Sequence, residues 1–539
     1  MNRRSFITAI GSGLATARFT PSIEFVKAAR RPNIIFIIAD DMKRHMFNCL
    51  PEGKGRNLTP NIDRLAAEGT LMMGQHVASP VCTPSRYNCL TGRYASRAQN
   101  ARFLATARNN AQTVITWNTH ILPTDQTLPK LLKQQGYATG IVGKNHVIDV
   151  SGFKKLPYRA DPTTAQAKAI LNENSKRIKT AMKACGFDYA SSIYHNNPDG
   201  NGPLALAVHN LDWIVKGGLD FIDQNKDKPF FLYFATTIPH GPLSKERSWG
   251  ASTRITSDGI IDETLSVLPL RETLPIRLKA AGLAGSGKEN VLWLDDAVGA
   301  LIQRLKRHDL YDDTIIFFFT DHGQDAKGTI YQGGVSNPSI VWRKGGFPCE
   351  SVSHALISNI DFAPTILDFA GTESFASNFD GRSFRPVLEG KANKIHDTLY
   401  FEMGYTRGLR KGMWKYIALR YPERVTKMSA AQRRQILERF NKRQKEHGKR
   451  IITNDPSAPF SHISLIPGGG GAEAASTGKY SGYYDSDQLY DLSRDPGEQK
   501  NLAYDARYAE KLHEMKAELI KYLNQLPGGF ADIDNQTSH

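Results

Sequence analysis

Cysteine is scarce and scattered in this chain of 539 residues, at Cys49, Cys82, Cys89, Cys185 and Cys349. None of these pairs has C-x-x-C spacing, which argues against the common cysteine zinc sites, and an odd, sparse set is not a disulfide framework. No apolar run approaches the roughly 20 residues of a membrane-spanning helix. Low-complexity tracts and internal repeats are also missing, which excludes fibrous, solenoid and largely disordered classes. Acidic side chains are outnumbered, 53 against 69 lysines and arginines, for a formal net charge of +16. That sign favours an anionic partner (nucleic acid, anionic membrane or polyanionic substrate) or serves solubility alone. What is present is a globular composition, 40% hydrophobic and 23% charged, in a chain too long for one ordinary core.

The N-terminus reads Met1-Asn2-Arg3-Arg4-Ser5-Phe6-Ile7. An arginine pair ahead of a mildly apolar stretch, Ile7 to Ala17, reads as a Tat-like export signal, assigned to residues 1–30. It predicts a periplasmic or secreted protein, with the Tat export machinery as a partner. The apolar stretch is too short to span a bilayer.

Asn33 to Ala39 (NIIFIIA), Pro229 to Ala235 (PFFLYFA) and Thr314 to Phe319 (TIIFFF) are short continuous apolar runs, the pattern of parallel strands buried on both faces. Tyr137 to Val142 reads as another strand. Helices are predicted between them: one opened by Thr59-Pro60 and closed by Gly69, one over Thr127 to Gln135, and one over Lys288 to Arg307 with Val291, Leu294, Val298, Leu301 and Leu305 at apolar positions. The alternation predicts an α/β fold, a large mixed but mostly parallel sheet sandwiched by helices. In such sheets ligands bind beyond the carboxyl ends of the strands. Asp40, Asp41, His240, Asp321 and His322 all fall there, as candidate metal ligands or acid–base groups.

After about residue 395 the texture changes. Tyr400 to Met403 and Trp414 to Ala418 read as strands of a smaller sheet, and Arg507 to Leu526 as a terminal helix. The expected organisation is a catalytic domain over 31–395 and a C-terminal subdomain over 396–539 with a small antiparallel sheet. Met428 to Arg450 is strongly basic and reads as helical, either a solvated face or a pocket wall that reads further anionic groups.

The sharpest local signal is Cys82-Thr83-Pro84-Ser85-Arg86. Pro84 suits a first helical turn, which puts Cys82 at a helix N-terminus, where the dipole and free N–H groups favour developing negative charge. Arg86 lies one turn on, facing the same way. On these grounds alone, a buried structural cysteine at a helix start is the simpler reading.

The motif C-T-P-S-R, continued by Leu90-Thr91-Gly92-Arg93, resembles the C-x-P-x-R signature of type I, formylglycine-dependent sulfatases in the alkaline phosphatase superfamily. Further blocks resemble the family in the same order: Asn33 to Asp41, Thr59 to Ala66, Gly136 to His146, Pro229 to Leu243, Trp293 to Gly299, Thr320 to Gly334, and Leu489 to Glu498. The resemblance implies that Cys82 is converted by a maturase to formylglycine, whose hydrated form is the nucleophile. It implies that Asp40, Asp41, Asp321 and His322, with the Cys82 side chain, hold one divalent cation, calcium by the oxygen-rich ligand set. His322 is a departure, since many relatives place Asn there and an imidazole is a softer ligand. Lys144 and Lys327 would neutralise sulfuryl oxygens, and Arg86 would orient the formylglycine. His240 would protonate the leaving alcohol, and His146 would deprotonate the second hydroxyl of the hydrate so that sulfate departs.

Export and positive charge then point to a sulfated polysaccharide or oligosaccharide as substrate, with neither nucleic acid nor a membrane span. Two rivals stand beside this reading. One is a phosphodiesterase or phosphonate hydrolase of the same superfamily. The other is a non-catalytic, polyanion-binding homologue.

Overall fold

The computed structural model describes residues 31–533, apart from 286, 349–350, 373–378, 447 and 474–475. The export signal read over 1–30, and Cys349, lie outside the described residues.

The principal sheet contains β1 (Asn33–Asp40), β2 (Thr70–Met72), β3 (Ala138–Lys144), β4 (Tyr189–Tyr194), β5 (Phe230–Pro239), β6 (Thr314–Thr320), β7 (Ser339–Arg343) and β8 (Val352–Ser353). Across the sheet the order is β8-β2-β7-β6-β1-β5-β3-β4. From β6 to β4 neighbouring strands are parallel, while β7 runs against both β6 and β2. The sheet is therefore mixed and mostly parallel, as the alternation of strands and helices predicts.

Successive side chains of a strand point to opposite faces, and β1 shows why its whole run must be apolar. Ile34, Phe36 and Ile38 enter one core with Phe231, Tyr233, Phe319 and Phe362. Ile35, Ile37 and Ala39 enter the other with Leu232, Phe234, Phe318 and Trp293. Each fully buried Ile or Phe contributes about 1.5–3 kcal/mol, so a charge placed anywhere along β1 would cost the sheet its centre. The helix Lys288–Arg307 covers the second face through Val291, Leu294, Val298, Leu301 and Leu305.

Register carries this core arrangement to one edge. Asp40 is paired with Pro239 and Ala39 with Thr320. The residues that end β1, β5 and β6 are thus aligned across neighbouring strands, and Asp41, His240 and Asp321 come directly after them. β5 continues past the apolar run to Pro239 because its threonines are satisfied internally. Thr236 Oγ1 donates to the Ile238 carbonyl at 2.8 Å, and Thr237 Oγ1 lies 2.8 Å from His209 Nδ1.

A second sheet is antiparallel, in the order β9 (Thr398–Met403), β10 (Thr406–Lys411), β11 (Trp414–Leu419), β12 (Asp487–Asp491). The terminal helix Ala509–Gln525 packs on it through Leu512, Met515 and Leu519. Between β11 and β12 the chain forms the basic helix Ala430–Glu446. No helix among the described residues is long and apolar enough to cross a membrane.

Candidate active site

The helix Cys82–Thr91 starts at Cys82, after an extended Val81, and all ten of its residues are buried. Buried polar side chains need partners, and those of this helix find them. Ser85 Oγ donates to the Asp321 carbonyl and accepts from Asn359 Nδ2 at 3.0 Å. Thr91 Oγ1 donates to the Tyr87 carbonyl at 2.7 Å. Pro84 falls in the first turn, where the missing N–H costs no helical hydrogen bond. Gly92 closes the helix at φ 64°, a left-handed conformation that favours glycine. Ser85 and Asn359 therefore fix the Cys82 end of the helix against the turn after β6.

That turn and the end of β1 interlock. Asp41 takes φ 60°, which aspartate tolerates better than most residues. Its N–H donates to Asp321 Oδ1 at 3.2 Å, and the Met42 N–H donates to Thr320 Oγ1 at 3.0 Å. Asp40 lies in front of β3: Lys144 Nζ donates to its two oxygens at 2.8 and 2.6 Å. Arg86 Nη2 bridges Asp40 Oδ1 at 3.3 Å and Asp321 Oδ2 at 3.2 Å, with all three side chains fully buried. Lys327 Nζ donates to both oxygens of Asp41 at 2.7 and 2.8 Å.

His322 Nε2 is 3.1 Å from Asp41 Oδ1, 3.6 Å from Asp321 Oδ1 and 3.6 Å from Cys82 Sγ. One ring N–H cannot serve three acceptors. The geometry is instead that of four ligand atoms converging on one point: those of Asp41, Cys82, Asp321 and His322 lie within 4.8 Å of one another, all buried. Two carboxylates, an imidazole and the position of Cys82 suit a divalent cation. Asp40 stands behind this quartet, held by Lys144 and Arg86.

The electrostatics are those of a desolvated cluster in which five basic groups face three carboxylates. Burial pushes the carboxyl of Asp41 up, but Lys327, His322 and His240 outweigh it and hold the group well below the usual carboxylate range. Asp321 is likewise opposed by burial and held ionised by His322, Arg86 and Lys144. Burial lowers His322, yet Asp321 and Asp41 raise it to about 10. His146 is pushed far below its ordinary value, first by burial and then by Lys144 and Arg86.

Nine of the ten residues read from sequence are joined by these direct contacts. His240 belongs to the set: its Nε2 is 3.4 Å from Asp41 Oδ2, and its Nδ1 is 2.8 Å from the Gly241 carbonyl. His146 is the tenth. Its N–H donates to the His195 carbonyl at 3.1 Å, and its ring Nδ1 is buried without a partner. It lies in the electrostatic reach of Lys144, Arg86 and Asp40 but makes no direct contact with Cys82 among the hydrogen bonds.

Sequence reasoning missed Asn197, whose Nδ2 is 3.3 Å from His240 Nε2. The His195-Asn196-Asn197 segment matches no family block, so nothing in the sequence ties it to His240. It also missed the support from the small sheet. Glu498 accepts from the Gln332 N–H at 2.6 Å and lies 3.1 Å from Lys415 Nζ, both side chains being buried. The C-terminal sheet thereby holds the segment after Lys327.

A sulfatase family model matches residues 32–372, and a model of the C-terminal part of N-sulphoglucosamine sulphohydrolase matches residues 320–427. N-acetylgalactosamine-6-sulfatase of Sus scrofa is 29% identical over 387 residues, 68% of this chain and 67% of that protein. Human arylsulfatase A is 24% identical over 527 residues, 93% of this chain and 86% of that protein. Among solved structures, one from work on glycosaminoglycan metabolism by Bacteroides thetaiotaomicron matches with TM-score 0.58 and 21% identity, over 92% of this chain and 100% of that one. Another, solved with its substrate D-glucosamine-2-N,6-O-disulfate, matches with TM-score 0.55 and 19% identity, over 94% and 100%. At those identities the structures speak for the fold.

Proposed function

The chain belongs to the sulfatase family of the alkaline phosphatase superfamily and is a sulfuric ester hydrolase; we propose that it hydrolyses sulfate monoesters on a sulfated glycan, with Cys82 as the position of the nucleophile. One observation carries this reading. The Cys82 side chain opens a buried helix, converges with Asp41, Asp321 and His322, and is surrounded by Arg86, Lys144 and Lys327 through their shared carboxylates.

In this reading Cys82 is converted to formylglycine by a maturase, and the hydrated aldehyde supplies the attacking oxygen. Asp41, Asp321, His322 and the residue-82 side chain, with Asp40 behind them, would hold one divalent cation, for which calcium suits a carboxylate-rich set. When bound, it supplies Lewis acidity toward a sulfuryl oxygen.

The protein's own groups divide the remaining work. Arg86 is fully buried against two carboxylates and holds the floor of the site in one geometry. Asp321, kept ionised, is able to accept the proton of the nucleophile. Lys144 and Lys327 neutralise the charge of the sulfate group. His240 is about one-fifth exposed and faces the solvent side, where an unactivated sugar oxygen needs protonation as it leaves. His146, held neutral at physiological pH, is competent to take a proton during sulfate release.

The sugar class is supported by the relatives: one acts on an N-acetylgalactosamine 6-sulfate by its name, and one structure holds a sulfated glucosamine as substrate. Export through the Arg3-Arg4 signal belongs to the same reading.

The test is a competition between p-nitrophenyl sulfate, bis(p-nitrophenyl) phosphate and sulfated disaccharides. The sulfate esters should be preferred by roughly 100-fold or more in kcat/KM. The reverse preference would favour the phosphodiesterase reading, and turnover of none would favour a polyanion-binding protein without catalysis.

A further inference from the structure

The basic helix Ala430–Glu446 is an unusual element to keep. Of its 17 residues only Leu437 and Asn441 are buried. Within it stand Arg433, Arg434, Arg439, Lys442, Arg443 and Lys445 against Glu438 and Glu446. Most protein helices gain their stability by burying an apolar face, and this one buries little. Arg439 and Arg443 are four residues apart, a like-charge spacing that destabilises an isolated helix. The helix is nevertheless held firmly in place. Arg433 donates to the Pro456 carbonyl at 2.7 Å and lies over the Phe460 ring at 4.0 Å, and Asn441 Nδ2 donates to the Thr453 carbonyl at 2.9 Å.

Held there, the helix forms one wall of a cleft of about 590 Å³ through Phe440, Arg443 and the nearby Lys449. The lining also presents Lys155, Tyr158 and Arg247, with Asp199 as the one acidic lining residue. Two segments of the lining lead along the chain to the active site. Asn197, which contacts His240 at 3.3 Å, is two residues before Asp199. Arg247 is seven residues after His240, and its carbonyl accepts from the His209 N–H at 3.0 Å. Four cationic side chains around one carboxylate select an anion. Tyr158, 48% exposed, and Phe440 add aromatic surface of the kind on which a sugar ring stacks.

We propose that this cleft is a subsite for a neighbouring anionic sugar of the glycan, its carboxylate or sulfate taken by Arg443, Lys449, Arg247 and Lys155 and its ring by Tyr158 and Phe440. The inference rests on the sulfated-glycan reading and deepens it: the substrate is a polyanionic chain carrying charge beyond the sulfate that is cleaved.

The test uses the full-length enzyme and the R443A/K449A double variant, whose substituted side chains are exposed. Each is assayed on 4-methylumbelliferyl sulfate, with one negative charge, and on sulfated hexasaccharides from chondroitin sulfate, heparin and carrageenan. The expected result is a loss of roughly tenfold or more in kcat/KM on the best hexasaccharide, carried by KM and largest at low salt, with the aryl sulfate unchanged within about twofold. Equal effects on both substrates, or none on either, would overturn the subsite and leave the helix a solvated face. Turnover of the aryl sulfate but of no hexasaccharide would also overturn it while sparing the sulfatase assignment. Failure on every sulfate ester would remove the underlying reading itself.

Discussion

Replacing Arg86 with methionine tests its role in holding the floor of the site. The guanidinium is fully buried and bridges Asp40 at 3.3 Å and Asp321 at 3.2 Å. In R86M, Asp40 keeps Lys144 at 2.6 Å, but Asp321 Oδ2 loses the basic group that reaches it. Removing one partner of a buried ion pair costs about 3–5 kcal/mol, because the other charge stays desolvated. Lys144 offsets part of that, so about 3–4 kcal/mol is expected. At about 2.1 cal/mol/K per residue, roughly 500 residues give an unfolding entropy near 1 kcal/mol/K, and Tm should fall by about 3–4 °C.

Calorimetry or circular dichroism at neutral pH reads this shift. R86K should fall between wild type and R86M, since lysine restores the charge but not the planar fork. R86M/D321N should recover part of the loss, because the stranded carboxylate is gone. Asp321 is held below its ordinary value when folded, so its contribution is present above about pH 4 and lost as pH falls further. The gap between wild type and R86M should narrow accordingly in acid. An R86M protein melting within about 1 °C of wild type would refute the reasoning, as would a further loss when D321N is added.

Two other outcomes are set by the geometry. His322, raised to about 10 by Asp321 and Asp41, must give up its proton to ligate a cation; calcium affinity should therefore rise about tenfold per pH unit between about pH 7 and 9. Calorimetric titrations across that range would show release of about one proton, and a pH-independent affinity would contradict the assignment of His322 as a ligand. H240A should lose roughly 100-fold or more in kcat on an alkyl or sugar sulfate and less than about tenfold on p-nitrophenyl sulfate, whose leaving group needs little protonation. Equal losses on both substrates would remove His240 as the acid.

Much of the frame is legible in the sequence for a simple reason. Strands buried on both faces must be apolar at every position, so Asn33–Asp40, Phe230–Pro239 and Thr314–Thr320 stand out, and the polar residues at their carboxyl ends become site candidates. The helix Lys288–Arg307 is equally clear from its apolar spacing. Short strands such as Thr70–Met72 and Ser339–Arg343 are not, since their pairing comes from tertiary neighbours rather than from their own pattern. Tyr189–Tyr194 (YASSIY) is obscured by its serines.

At the site, the identity of the charged residues is readable, but their pairing is not. That Lys144 takes Asp40 while Lys327 takes Asp41 depends on strand register and on the left-handed turn at Asp41. Asn197 and Ser85 act through contacts with no counterpart in local spacing.

The most direct measurement is peptide mass spectrometry of the segment containing Cys82 in active enzyme, coupled to the activity of C82A. The expected result is a residue about 18 Da lighter than cysteine, an aldehyde in place of the thiol, and no sulfate-ester hydrolysis by C82A. A fully active enzyme carrying an unmodified Cys82 thiol, or an active C82A, would contradict the assignment of residue 82 as the nucleophile.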